Sequence, residues 1–157
     1  MSESLRLSDQ IRRAFEGEAW HGDPLVEILE GVNAMVASAH PIKDAHSIWE
    51  LVLHIAAWDA AVLKRTRGTA EELSGERNFP PVTDSSEAAW RKAVEHAKHT
   101  HSELVKAVAA FPDSRLDERV PGKTESYHNF FYMFSGIVQH ELYHAGQIAL
   151  LKKAGTH

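Results

Sequence analysis

The chain has 157 residues, a length that suits one domain built around one hydrophobic core. Its formal charge is −5, from 17 basic and 22 acidic residues, and this balance argues against a nucleic-acid partner, whose phosphates need a basic face. There is no cysteine, which excludes disulfides, thiolate metal sites and cysteine nucleophiles. No apolar run approaches the ~18 residues of a membrane span, and the charged N-terminus does not read as a signal peptide. We therefore expect a cytoplasmic protein with no membrane partner.

The N-terminal part of the chain predicts one helix and a short second one. Apolar residues recur at helical spacing from about Leu5 to Phe15, and Gly17 interrupts the pattern. A short helix is predicted to begin further on, with Asp23 as its N-cap and Pro24 in its first position, because both residue types are favoured there.

Three more long helices are predicted, and no segment has the alternation of a strand. The second long helix runs from about Ser47 to Thr66, and its serine forms a capping box with Glu50. The third runs from about Asp84 to Phe111. The fourth runs from about Tyr127 to Lys153 and is apolar around much of its circumference, which indicates a central helix or one shared with a second subunit.

Two histidines on the fourth predicted helix have the spacing of metal ligands. His140 and His144 are four residues apart, so their side chains lie roughly 40° apart around the helix axis and project from one face. Gly136 lies one turn before them and leaves space above the site, and Gln147 lies on the same face one turn below. Such a pair is also common on protein surfaces, so by itself it does not establish a metal site.

His54 is the candidate for a third ligand. It lies in the middle of the second long helix among apolar neighbours, so its imidazole is buried and needs a partner. That partner is either a carbonyl or carboxylate in the core, or a metal ion shared with the pair on the fourth helix. Three imidazoles would leave one coordination position of the ion open, which is typical of catalytic zinc sites.

Three segments of the chain resemble the DinB/YfiT-like superfamily. The second-helix motif of that family is similar to SIWELVLHIAAW at residues 47–58, and its fourth-helix motif is similar to QHELYHAGQI at residues 139–148. An early turn found in some members resembles WHGDP at residues 20–24. The resemblance covers nearly the whole chain, and we expect residues 1–157 to form a single DinB-like domain.

The resemblance implies an all-α fold, a four-helix bundle with one long crossover connection. It also implies one divalent metal ion, zinc or nickel, with His54, His140 and His144 as ligands. Members of the superfamily often form homodimers. They include proteins assigned as metal-dependent hydrolases and S-transferases that use low-molecular-weight thiols. The resemblance therefore implies a small-molecule substrate, with such a thiol as one candidate, and a second copy of the chain as partners.

Further residues are candidates for the neighbourhood of this site. Glu50 lies one turn before His54 and is the only candidate general base, although the capping box already accounts for it. The remaining candidates are aromatic or polar residues that would line a pocket, each of which also has a purely structural explanation: Trp20, His21, Trp58, His101 and Gln147.

Two functions follow from a three-histidine site. The first is a metal-dependent enzyme, either a hydrolase or a thiol S-transferase, and nothing in the sequence chooses between these reactions. The second is a non-enzymatic metal-binding or stress-response protein, which a fourth ligand from Glu50 or His101 would favour, because structural zinc usually has four protein ligands. A degenerate site that binds no ion is a third possibility.

A di-iron centre is disfavoured. Glu141 and His144 match the Glu-x-x-His pattern of di-iron bundles, but such centres need a second copy of the pattern on another long helix. The other matches, Glu18 to His21 and Glu125 to His128, lie at predicted helix breaks or ends.

Overall fold

A computed structural model describes residues 1–155 and shows a helical protein, with no strand among those residues. The predicted domain end at residue 157 lies outside the described part, and the single domain stays a prediction. There are four long helices, two short ones and two 3-10 turns at Gly75–Arg77 and Asp113–Arg115. The helices are α1 (Glu3–Glu16), α2 (Leu25–Ile28), α3 (Ala34–Ser38), α4 (Ile48–Thr66), α5 (Glu87–Ala109) and α6 (Phe130–Ala154).

The four long helices form the predicted bundle. Helix α1 packs against α5 and α6, and α4 packs against the same two helices. Helices α1 and α4 therefore lie across the bundle from one another, and so do α5 and α6. Residues 17–47 connect α1 to α4 and carry both short helices. This long connection crosses the bundle, so the predicted all-α architecture with a long crossover is confirmed.

The start of α4 follows the predicted capping box. The Ser47 side chain accepts a hydrogen bond from the Glu50 backbone N–H at 3.2 Å, and the Glu50 carboxylate accepts one from the Ser47 backbone N–H at 2.7 Å. These two bonds satisfy backbone donors that a helix start leaves without an intrahelical partner. The N-terminus of the helix that carries His54 is thereby fixed.

Two long helices begin later than the sequence suggests. Helix α5 is capped by Ser86, whose hydroxyl accepts from Ala89 N–H, while Asp84 instead accepts from the Ser86 backbone N–H. Helix α6 is capped by Asn129, so the predicted start at Tyr127 was wrong by about one turn. In both cases a nearer polar residue has the extended backbone and the side-chain bond that an N-cap requires.

The connection from α1 to α4 differs in two details from the prediction. Pro24 is the N-cap of α2, which has no side-chain cap, so the assignment of Asp23 as the N-cap was wrong. Helix α3, capped by Asn33, was not predicted, because five residues are too few to show a helical period.

Helix α6 is apolar on its buried side and on part of its exposed side. Phe130, Phe134 and Ile148 are buried in the core of the bundle. Tyr143 and Leu150 remain 67% and 64% exposed. None of the helices in residues 1–155 is both long enough and apolar enough to span a membrane.

Candidate metal centre

His54 points from α4 towards the loop that follows that helix. Its Nδ1 lies 2.7 Å from the backbone carbonyl oxygen of Asn78, and its ring stacks on Phe79 with centroids 4.0 Å apart. The residue is only 5% exposed. The buried partner expected for this histidine is thus a backbone carbonyl, and the bond leaves the Nε2 edge of the ring facing α6.

His140 and His144 face His54 from α6. His144 is buried, and its Nδ1 lies 2.6 Å from the Gln147 side-chain oxygen. His140 is partly buried, and its Nδ1 has no hydrogen-bond partner within residues 1–155. Both rings lie on the same face of the helix, as the four-residue spacing requires.

The three imidazoles converge. One ligand nitrogen from each of His54, His140 and His144 lies within 4.8 Å of the other two, and the Nε2 atoms of His54 and His140 are 3.0 Å apart. An ion with Zn–N bonds of about 2.0–2.1 Å in tetrahedral geometry holds its ligand nitrogens roughly 3.4 Å apart. The observed cluster is close to this arrangement, so these residues could hold one metal ion.

Hydrogen bonds on the far side of two rings fix which nitrogen is available. A carbonyl oxygen only accepts hydrogen bonds, so the Nδ1 of His54 carries a proton and donates a hydrogen bond to the Asn78 carbonyl oxygen. The Gln147 oxygen fixes His144 in the same way. Each neutral ring therefore presents an unprotonated Nε2, and outer hydrogen bonds of this kind are typical of metal-bound histidines.

The environment keeps the three rings neutral. Burial lowers the pKa of His140 to about 3, and the rings of His144 and His54 act in the same direction. Burial also lowers the pKa of His54, despite the opposing hydrogen bond to Asn78, and it lowers the pKa of His144 as well. Because a metal ion binds only deprotonated ligands, these shifts suit a metal centre.

A cavity of about 250 Å³ lies beside His140. Its apolar wall is formed by Trp58, Val62, Met133 and Ile137, together with residues that include Val120, Tyr132 and Gly136. A Cβ atom added at Gly136 would meet nothing within 4 Å, so this glycine leaves the space expected from the sequence. The cavity gives a small molecule room next to the histidine cluster.

Three basic side chains line the same cavity, and none of its lining residues carries a carboxylate. Arg65 donates to the carbonyl oxygen of Glu71, Lys123 lies 2.7 Å from the Glu72 carboxylate, and His128 lies 3.1 Å from the Glu125 carboxylate. An arginine has five N–H donors and a lysine three, so donors remain for a ligand. The cavity suits a molecule that carries an anionic group.

The loop after α4 contributes contacts that the sequence analysis missed. The side-chain oxygen of Asn78 accepts a hydrogen bond from Trp58 Nε1 at 2.9 Å, while its backbone carbonyl binds His54. Phe79 is stacked between His54 and His46, with the His46 ring 3.9 Å away. The only sequence signal was an aromatic residue next to the Pro80-Pro81 pair, which gives no indication of its partner.

Some of the candidate neighbours lie close to the cluster. Trp58 lines the cavity and approaches the rings of both His54 and His140, with centroids 6.5 Å and 5.7 Å away. Gln147 orients His144 and does not line that cavity. Glu50 lies at the start of α4, where its carboxylate is bound to Ser47 and is 3.5 Å from His46.

The structure does not bring the other candidates to the cavity. Trp20 is fully exposed, and it lines a separate depression together with His21 and Leu142. His101 is completely buried in the bundle, where its Nδ1 lies 3.2 Å from Asp59 and 3.0 Å from Glu141.

Glu141 and His144, which match half of a di-iron pattern, belong to different clusters. His144 joins the three histidines, whereas Glu141 joins Asp59 and His101. The residues of one Glu-x-x-His motif therefore do not share an ion, and this separation agrees with the sequence argument against a di-iron centre.

Comparison with known proteins identifies the family. The DinB superfamily model matches residues 19–148, a range that includes all three histidines. The chain matches no curated protein and no solved structure. Since the match covers most of the 157 residues, the chain belongs to the DinB superfamily, and its three-histidine cluster fits a metal-binding protein.

Proposed function

We propose that this protein is a divalent-metal-dependent enzyme that transfers a low-molecular-weight thiol to an electrophilic small molecule, with zinc or nickel as its ion. The observation that carries the proposal is the junction of three neutral imidazoles with a cavity of about 250 Å³. His54, His140 and His144 would hold the ion. A divalent cation there would favour the deprotonated form of a bound thiol or water, and so would supply the nucleophile.

The chain's own residues would bind and orient the substrates. Lys123 and Arg65 offer cationic donors to a carboxylate on the thiol or on the electrophile. Trp58, Met133 and Ile137 form an apolar wall that excludes water from the reacting atoms. In the transfer, the S–H proton passes to solvent, the sulfur forms a bond to the electrophilic carbon, and the leaving group departs with its electron pair.

The lining of the cavity favours thiol transfer over hydrolysis. Hydrolysis of an amide or ester needs a group that returns a proton to the leaving atom, and carboxylic acids commonly have this role. No residue lining the cavity carries a carboxylate, and Glu50 is held in its capping box. Transfer of a thiol to a carbon bearing a good leaving group requires no such donor.

A hydrolase is the second candidate because of one residue. The His128 imidazole lines the cavity, and one of its nitrogens remains after its contact with Glu125. Because the carboxylate accepts the hydrogen bond, the remaining Nε2 of the neutral ring is a proton acceptor that would activate an attacking water, so both reactions belong in the same test.

The non-enzymatic alternative has less support. A purely structural ion would need a fourth protein ligand, for which Glu50 and His101 were the candidates. In the described residues the histidine cluster has three members, and His101 belongs to a separate cluster. An ion held by these three histidines would keep one coordination position open towards a substrate, and this position together with the adjoining cavity supports an enzyme.

The test uses untagged protein that has been stripped with a chelator and reconstituted with Zn²⁺ or Ni²⁺. We expect metal-dependent conjugation of glutathione or cysteine with 1-chloro-2,4-dinitrobenzene. Hydrolysis of p-nitrophenyl acetate is measured in parallel as the alternative activity. His144→Ala should lose the activity, and His99→Ala, which alters an exposed histidine of α5, should retain it. Stoichiometric metal binding without turnover of either type of substrate would favour the non-enzymatic alternative.

A further inference from the structure

A second cluster of titratable side chains lies inside the bundle, apart from the three histidines. Asp59 comes from α4, His101 from α5 and Glu141 from α6, and the side chains of all three are 0% exposed. His101 Nδ1 lies 3.2 Å from an Asp59 oxygen and 3.0 Å from a Glu141 oxygen. The remaining long helix, α1, contributes Phe15, whose ring stacks on His101 at 4.1 Å. The cluster is thus enclosed by all four helices.

The polar groups of this cluster are not satisfied by their protein neighbours. Among the described residues, Asp59 Oδ1, Glu141 Oε2 and His101 Nε2 are buried without a hydrogen-bond partner. The two carboxyl groups contact each other, and His101 Nδ1 approaches both of them. A buried carboxylate without a compensating partner is strongly destabilising. The charge of the two carboxylates must therefore be offset inside the bundle, either by protons or by a bound cation.

We propose that Asp59, His101 and Glu141 form a second divalent-cation site, closed on all sides. One ligand atom from each residue lies within 4.8 Å of the others. Separations of 3.0–3.2 Å from the His101 nitrogen are slightly shorter than the roughly 3.4 Å of a tetrahedral ion with bonds of about 2.0–2.1 Å. The two unpartnered carboxylate oxygens supply the remaining ligands, so the coordination shell consists of protein atoms.

Charge and donor type agree with this assignment. Two carboxylates neutralise one divalent cation, which removes the mutual repulsion of Asp59 and Glu141 in a medium of low dielectric constant. One nitrogen and several oxygen donors suit Zn²⁺, Mn²⁺ or Fe²⁺. A closed shell of protein ligands is typical of a structural ion, whereas the three-histidine cluster keeps a position open. The two sites would then differ in role as well as in ligands.

Protons are the competing occupants of this cluster. Burial, followed by the charge of Asp59, raises the pKa of Glu141 to about 8. Burial opposes the charged form of His101, but hydrogen bonds to Asp59 and Glu141 raise its pKa to about 10. Because the site is enclosed, a metal ion must enter while the chain folds, before protons are trapped there.

The test refolds each protein with excess Zn²⁺. Elemental analysis then measures the zinc content before and after dialysis against EDTA. Wild-type protein should take up two equivalents and retain one in EDTA, because the enclosed site exchanges slowly. His144→Ala should keep the EDTA-resistant equivalent. Asp59→Asn preserves the side-chain volume. This variant should take up one equivalent of zinc on refolding and retain none after dialysis against EDTA.

The His144→Ala variant decides the proposal even where Asp59→Asn does not fold. That substitution lies outside the enclosed cluster, so its helical circular dichroism should match that of the wild type. The variant is refolded once with Zn²⁺ and once with Mn²⁺. If neither preparation contains its metal ion, protons alone fill the cluster and the proposal is wrong. The proposal does not depend on the enzymatic function, because neither measurement involves turnover.

Discussion

The ring nitrogens of His54 and His144 are selected by atoms outside the histidine cluster. The Asn78 carbonyl oxygen and the Gln147 side-chain oxygen each hold an Nδ1 proton, at 2.7 and 2.6 Å. The ring of His54 is fixed further by Phe79, which stacks on it. These contacts limit ring rotation before an ion arrives, which reduces the entropy lost on binding.

Replacing one ligand should remove one ion and leave the fold in place. We expect His144→Ala to lower the zinc content by one equivalent, because two remaining imidazoles bind a divalent ion weakly. Elemental analysis of untagged protein measures the loss, and far-UV circular dichroism should stay within error of the wild type. His99→Ala is the control. Undiminished metal content in His144→Ala would show that the three-histidine assignment is wrong.

The lowered pKa values of the ligands predict metal binding that persists in acid. Three histidines with an ordinary pKa of about 6.5 would lose roughly 600-fold in affinity between pH 7 and pH 5.5 through proton competition. The pKa of His140 is about 3, and the pKa values of His54 and His144 are also lowered. We therefore expect a loss well below 600-fold for the EDTA-exchangeable ion, measured by competition with a chromophoric chelator at both values of pH. A loss of several hundredfold would contradict these shifts.

At the scale of single helices, α4 and α6 are placed by local interactions at their ends and by side-chain size along their length. The capping box fixes the first turn of α4, and Asn129 accepts the Tyr132 N–H at the start of α6. Gly136 and Gly146 both lie on α6 with open space at their Cβ positions, but only Gly136 lines the cavity.

The capping box predicts that Glu50 stabilises α4 and does not take part in catalysis. Glu50→Gln should retain the zinc content and the activity, because a glutamine oxygen accepts the same hydrogen bond from Ser47. Ser47→Ala should lower the free energy of unfolding by about 1 kcal/mol, as measured by urea denaturation. Ser86→Ala at the start of α5 provides a matched loss of an N-cap. A large drop in kcat for Glu50→Gln would instead assign this residue as the general base.

Substitutions at the two glycines of α6 test the role of the cavity separately from that of the metal ligands. Gly136→Leu should fill part of the cavity and raise KM or abolish turnover without changing the zinc content. Gly146→Leu should leave turnover unchanged. Both substitutions should raise the free energy of unfolding by about 0.5–1 kcal/mol, since glycine is unfavourable inside a helix. Equal activity in the two variants would exclude this cavity as the substrate site.

At the scale of the whole molecule, the bundle brings together residues that are far apart in the chain. His54 and His140 are separated by 86 positions and meet because α4 packs against α6. The enclosed cluster combines three helices in the same way. The functional groups therefore depend on the packing of the long helices.

The homodimer stays a prediction. Helix α6 exposes apolar side chains that a second copy of the chain would cover, among them Tyr143 and Leu150. We expect light scattering after gel filtration to give twice the mass of the 17.5 kDa chain. Leu150→Glu should shift the population towards the monomer, because a charge buried in an interface is costly. A monomeric wild type at all concentrations would contradict the prediction.

The amino-acid sequence by itself determined the features that depend on neighbours in the chain. Helical periodicity located the four long helices, the Ser47 and Glu50 pair defined one helix start, and a spacing of four placed His140 and His144 on one face. The apolar surroundings of His54 on the second long helix made it the candidate third ligand, and resemblance to a known family supported that choice. These features depend on interactions within a few residues, and local sequence patterns record such interactions directly.

Only the tertiary structure decided which distant residues meet. It placed the Asn78 carbonyl on His54, separated Glu141 from His144, and enclosed His101 between two carboxylates. Such contacts depend on the rotation of each helix about its axis and on the path of an irregular loop. Both are set by the packing of the whole core, and no short pattern in the chain specifies them.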